Sequence, residues 1–177
     1  MRRTAEQVAK LGASPRSLAR GFAALRILFG VIWLSNAVAK IVGVGAVDWG
    51  PFSFTLINRS GARGILVDAV DKTRIAPLRT LYTDLVLANW ELFQWLLTGA
   101  ELAIGLGLLF GVASRLAALG GLLLITPIWL MLWDNRLYLW EYPLDLVPLL
   151  LLAIVPAGRV WGLDGKLAAR FSGRWPF

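Results

Sequence analysis

Two residue types are missing from this 177-residue chain: it has no Cys and no His. The chain itself can therefore carry no disulfide, no Fe–S cluster and no thiolate or persulfide step. The usual zinc sites and a His- or Cys-ligated haem are excluded, so no metal and no haem is expected. Cys–His and Ser–His–Asp catalysis are excluded as well. Charge is also scarce. Asp, Glu, Lys and Arg together make up 16 % of the chain, against roughly 25 % in an average soluble domain. Any proton or redox chemistry must use carboxylates, Lys, Arg, Tyr, Trp, amides or a borrowed cofactor.

What is present is grease. Apolar residues make up 58 %, mean hydropathy is +0.67 and there are nine Trp. These figures describe an integral membrane protein. The net charge is +7 and the isoelectric point about 10.6. The basic residues gather at the chain ends and the middle is apolar. That distribution fits an anionic membrane surface, and no nucleic-acid partner is expected.

The pattern predicts an all-α membrane domain, a bundle of four transmembrane helices. Residues 1–20 form a basic arm with Arg2, Arg3, Lys10, Arg16 and Arg20. The first span covers 21–47, and its length argues against a cleaved signal peptide despite the Ala37-Val38-Ala39 pattern. Residues 48–89 are a mixed segment, read as an extracytoplasmic loop with amphipathic helix lying on the bilayer, bracketed by Trp49 and Trp90 as interface anchors. Further spans follow at 90–112, 116–133 and 143–157. Between the last two lies a short polar loop that begins at Asp134-Asn135-Arg136. The tail, 158–177, is basic again through Arg159, Lys166, Arg170 and Arg174. The arm, Arg115 and the tail carry Lys and Arg with almost no acid. In the 48–89 loop acid nearly cancels the base. The positive-inside rule then puts both termini in the cytoplasm of a multi-pass protein of the inner or plasma membrane.

The spans contain polar residues that need partners. Glu91, Gln94, Thr98, Glu101 and Gly105 recur at steps of three and four, so they share one helix face. Trp33, Asn36 and Lys40 share a face of the first span. A mid-depth carboxylate such as Glu101 costs several kcal/mol unless it is paired, hydrated or protonated. Lys40 can pair with Glu101, Glu91 or Asp145, or snorkel outward. Lys40, Glu91 and Asp145 are expected to converge towards the outer leaflet with Glu101 below. Lys40 and Glu101 are the candidate proton relay. Trp33, Asn36, Lys40, Gln94, Trp95, Thr98, Glu101 and Asp145 form a candidate cavity for a flat lipid-soluble ring such as a quinone. A plainer reading stands beside each. The ion pairs then only fix packing, Arg26 and Arg115 anchor at interfaces, and Gly99, Ala100, Ala103, Gly105 and Gly107 only allow helices to approach. In the same reading Trp33, Trp90, Trp95, Trp129, Trp133 and Trp140 are mostly an aromatic belt.

Three segments together resemble the DoxX/DoxD family. They are Leu25-Arg26 with Gly30 and Lys40; Glu101, Gly105, Leu108, Gly111 and Arg115 in an E-x-x-x-G-x-x-L-x-x-G-x-x-x-R spacing; and Trp140-Glu141-Tyr142 followed by Ala157-Gly158-Arg159 and Gly162-Leu163-Asp164. The resemblance implies a four-helix membrane bundle. It also implies a link to thiosulfate:quinone oxidoreductase, of which DoxD-type proteins are named as a subunit. Carried over, the pattern falls on Arg26, Lys40, Glu101, Arg115, Arg159 and Asp164. The long 48–89 loop departs from the compact members.

Three functions follow as expectations. The first is a membrane subunit of a quinone-linked oxidoreductase, whose thiosulfate or thiol-related donor is handled by a partner protein because this chain has no sulfur nucleophile. The second is a non-enzymatic scaffold or accessory subunit of an envelope complex, working through the 48–89 loop. The third is a small transporter, which needs a homo-oligomer and meets an apolar stretch at Leu106–Phe110. Membrane lipids are partners in all three.

Overall fold

The computed structural model describes residues 14–133, 135 and 138–177, and of Tyr142 the backbone only. The first thirteen residues of the basic arm, and Asp134 and Arg136 of the expected polar loop, lie outside the described residues. The described residues are mostly helical, and among them three helices are long and apolar enough to cross a membrane.

Helix α1 runs Pro15–Val42. It starts where local chemistry dictates. Ser14 Oγ accepts a hydrogen bond from the Ser17 amide at 3.1 Å, and Pro15 takes the first-turn position where a missing N–H costs nothing. It ends at Gly43, whose φ of 80° closes the last turn through a bond to the Ala39 carbonyl. The helix therefore begins earlier and stops earlier than the 21–47 span expected from hydropathy. The apolar run continues past the cap through β-branched Val44 and Val47, and hydropathy alone does not see the glycine.

The chain next forms a two-stranded antiparallel ribbon, β1 (Ala46–Trp49) and β2 (Phe52–Thr55). Its turn is Gly50-Pro51, with Gly50 at φ +59°, the first position that such hairpins reserve for glycine. Helix α2 (Arg59–Lys72) follows, capped by Asn58 Oδ1 on the Gly61 amide. It buries Ala62, Leu66, Ala69 and Val70, one face at helical spacing. Helix α3 (Ala76–Leu81) runs into a π-helical turn, Tyr82–Leu87, and then α4 (Trp90–Phe110) begins. Helix α5 is Ser114–Leu132 and α6 is Glu141–Ile154. At 1.5 Å per residue α4 and α5 are about 32 and about 29 Å long, close to the hydrocarbon thickness, whereas α6 reaches only about 21 Å. A short 3₁₀ turn, Ala157–Arg159, leads to α7 (Asp164–Arg170).

Two cores hold the fold. One gathers Phe29, Trp33, Ile104, Leu108, Ala118, Leu149 and Leu152 between α1, α4, α5 and α6. The other joins Ala62, Leu66 and Val70 of α2 to Trp90 and Met131 at the ends of α4 and α5. The 48–89 segment thus folds onto the bundle. Trp90, expected as an interface anchor, is buried in this second core, because the π-helical turn brings the chain back over the helix ends. Helices α1 and α4 lie backbone to backbone. A Cβ at Gly30 would stand 2.5 Å from the Leu109 nitrogen, and one at Gly105 2.7 Å from the Leu34 nitrogen.

Four of the six residues marked by the family resemblance are fastenings at one end of the bundle. Arg26 is fully buried and is no interface anchor. Its guanidinium donates to the Leu108 carbonyl, to Leu109 at 3.0 Å and to Trp161 at 2.9 Å. A cation there satisfies carbonyls at the C-terminus of α4, where the helix dipole is negative. Asp164 does the converse for α5: its carboxylate accepts from the Ala113 and Ser114 amides at 2.7 and 2.9 Å and from Ser114 Oγ at 2.6 Å. Arg115 Nε donates to the Ala153 carbonyl near the end of α6 at 3.0 Å, and Arg159 to the Phe177 carbonyl at 2.7 Å.

Candidate functional site

A cavity of about 550 Å³ lies at the other end of the bundle, roofed by the 48–89 segment. This is within the range of roughly 300–1,000 Å³ typical of small-molecule sites. Most of its wall is apolar. Phe29, Ile32 and Trp33 come from α1, Ile65 and Leu66 from α2, Phe93 and Leu97 from α4, and Leu124 and Ile128 from α5. Lys40, Glu101 and Asp145 are the charged side chains on it, and Asn36, Tyr82 and the indoles of Trp33 and Trp90 add hydrogen-bonding groups.

Lys40 organises the polar side. It is 1 % exposed, and its Nζ lies 2.8 Å from Glu101 Oε2 and donates to the Ile57 carbonyl at 2.9 Å. One turn earlier, Asn36 Oδ1 accepts from the Ile57 amide at 2.9 Å. Residues four apart share a helix face, so one edge of α1 holds both polar groups of a single residue of the loop. Of the three acids open to Lys40, the structure selects Glu101. Among the described residues Lys40 is the partner of the Glu101 carboxylate. Asp145 enters the same cavity from the first turns of α6, with the Trp129 indole beside it.

The expected set divides. Trp33, Asn36, Lys40, Glu101 and Asp145 all line the same cavity. Gln94, Trp95 and Thr98 are not on it. Gln94 Nε2 donates to Glu91 Oε2 at 2.8 Å, and Thr98 Oγ1 donates to the Gln94 carbonyl at 2.6 Å, so both are satisfied within α4. Trp95 is exposed on the outside, with the Arg59 guanidinium 4.6 Å above its ring. Glu91 is exposed and does not join Lys40 and Asp145 at the cavity.

Sequence reading missed Phe29, Ile57, Tyr82, Trp90 and Phe93 on the wall. A signal for part of this existed. Tyr82, Val86 and Trp90 recur at steps of four, and all three face the cavity. Burial raises the Tyr82 phenol pKa above its ordinary value, so at neutral pH it offers an O–H.

Chemically, the site offers an apolar volume, one buried ion pair, a second carboxylate beside an indole, and a phenol. Among the described residues no group of Asp and Glu is arranged to hold a metal ion. Such a wall suits a lipid-soluble ligand with a small hydrogen-bonding head, and its carboxylates are groups that can take or release a proton. No protein-family model, curated protein or solved structure matches the chain.

Proposed function

We propose that the chain is a DoxX/DoxD-like membrane subunit of a quinone-linked oxidoreductase. In this reading the short helix α6 makes the fourth crossing, helped by the turns on either side of it, and both termini face the cytoplasm. The observation that carries the reading is the coincidence of an apolar cavity with a buried Lys40–Glu101 pair and with Asp145 on its wall. Donor oxidation belongs to a partner, because this chain has no Cys or His to do it.

The residues present fit a quinone. Phe29 and Trp33 offer ring faces, while Lys40, Glu101, Tyr82 and Asp145 offer hydrogen bonds to a polar head. When bound, a quinone supplies two-electron chemistry in the lipid phase. The chain's own part is to exclude water around the head and to pass protons to and from it through the Glu101 and Asp145 carboxylates.

The test is mass spectrometry of gently solubilised, affinity-purified protein, recording co-purifying lipids and proteins together. Stoichiometric quinone that is lost in Lys40→Ala or Glu101→Ala is the expected result. Finding neither quinone nor a redox partner overturns the reading. One observation favours the scaffold alternative: Lys40 holds the Ile57 carbonyl as well as Glu101, which gives the pair a purely architectural task. In that case a stable envelope partner copurifies without quinone.

A further inference from the structure

The β1–β2 ribbon is two-faced. Its register pairs Val47 with Phe54 and Trp49 with Phe52, and cross-strand partners point to the same side. The other side carries Ala46 and Thr55, then Asp48 and Ser53. One face is therefore wholly apolar and mostly aromatic, and the other small and polar. The aromatic face is uncovered: Trp49 is 79 % exposed, Phe52 72 % and Phe54 51 %.

We infer that this face rests in the membrane interface beside the end of α1. Position argues for it first. The ribbon begins four residues after the last helical residue of a membrane-spanning helix, at most about 14 Å of extended chain away. Ile41, Val42 and Val44 are exposed apolar residues on that stretch, so the greasy surface of the span continues into the ribbon without a break. Composition argues next, because Trp concentrates where lipid meets water. The backbone then sets the depth. A two-stranded ribbon has two open edges, which hydrocarbon cannot satisfy, so it cannot enter the bilayer core. At headgroup depth water reaches those edges while the rings lie among the upper acyl chains, and Asp48 on the opposite face stays wet.

The placement has a mechanical consequence. Strand β2 runs through Leu56, whose amide bonds to the Gly45 carbonyl at 3.0 Å, directly into Ile57. The Ile57 peptide is the one held by Asn36 and Lys40. A ribbon fixed in the lipid surface thus sets one wall of the cavity from outside.

The absence of native Cys allows a direct test on the full-length protein in lipid nanodiscs. Single Cys variants at each ribbon position are spin-labelled, and their accessibility to oxygen, which partitions into lipid, is compared with that to a water-soluble nickel chelate. The oxygen-to-nickel ratio should alternate with period two and stand severalfold higher at positions 47, 49, 52 and 54 than at 46, 48, 53 and 55. A uniformly nickel-accessible ribbon overturns the inference, since it then stands in water. So does an aromatic face shielded from both probes, which means that protein covers it. An unlabelled check guards against distortion by the label. In lipids brominated high on the acyl chain, Trp49→Phe should remove part of the tryptophan quenching, and no change in quenching overturns the inference equally.

Discussion

Removing the charge of Lys40 should be among the most costly single changes in the protein, and removing Glu101 with it should recover most of the loss. In Lys40→Met, Glu101 keeps its carboxylate but loses the ammonium 2.8 Å away, and Lys40 is the partner that the described residues provide. Breaking one side of a buried pair costs about 3–5 kcal/mol because it strands a charge. The Ile57 carbonyl also loses its charged donor, a further contribution of about 1.5–3 kcal/mol. These two effects overlap, so about 4–6 kcal/mol is the expected total. In Lys40→Met/Glu101→Leu the stranded charge is gone, and the remaining loss is that of the Ile57 bond, about 2 kcal/mol.

The assay is a double-mutant cycle on reversible unfolding in detergent micelles, with Glu101→Gln as a third single variant. The cycle should give a coupling energy of at least about 2 kcal/mol. Additive losses, or a Lys40→Met variant within about 0.5 kcal/mol of the parent, would refute the reasoning. Either result would mean that water or lipid headgroups solvate Glu101 and that the pair is not a buried one.

Three further outcomes are expected. Gly105→Ala puts a methyl group against the Leu34 backbone and should destabilise by about 1–3 kcal/mol, while Gly99→Ala, which meets nothing within 4 Å, should stabilise by up to about 1 kcal/mol; thermal unfolding reads both signs. Asp164→Ala leaves the Ala113 and Ser114 amides without their acceptor and should cost about 2–4 kcal/mol, with faster hydrogen exchange confined to the start of α5. Tyr82 holds its proton more tightly folded than unfolded, so its contribution is complete below the unfolded value near 10 and is lost as pH rises above it; Tyr82→Phe should flatten the alkaline fall in stability, read by thermal unfolding across that range.

How much of this was legible follows from what each signal measures. Long apolar runs revealed α1, α4 and α5, since hydropathy over about twenty residues is a direct readout of burial in lipid. Their ends were less legible, because Gly43 stops α1 while the apolar residues run on. The ribbon was missed although its alternation of Val47, Trp49, Phe52 and Phe54 about Gly50-Pro51 is a hairpin signal. A period of two over eight residues is a short signal beside the longer apolar pieces of the 48–89 segment, which favour helix. At the site, the shared face of Trp33, Asn36 and Lys40 was visible from spacing, as was the need of Glu101 for a partner. The choice of Glu101 over Glu91 was not visible, because it depends on how far α4 is offset along α1, and that offset is set by the close backbone contacts at Gly30 and Gly105.

The charged residues of the greasy segments divide by the kind of partner they meet. Arg26, Arg115 and Asp164 meet backbone: they satisfy carbonyls at the ends of α4 and α6 and amides at the start of α5. Such partners leave no trace in a sequence, because every residue has a carbonyl and every one but proline an N–H. That is why the spacing of Arg26 and Arg115 alone suggests interface anchors, whereas the structure gives them the task of closing helix ends. Lys40 also meets a backbone carbonyl, but its other partner is a side chain, and that side chain lies on a cavity wall with Asp145. A functional role is therefore better sought at Lys40, Glu101 and Asp145 than at the other marked positions. The two groups should separate by experiment: changes at Arg26 or Asp164 should act on stability throughout, whereas Asp145→Asn should leave stability within about 1 kcal/mol and alter only what the cavity holds.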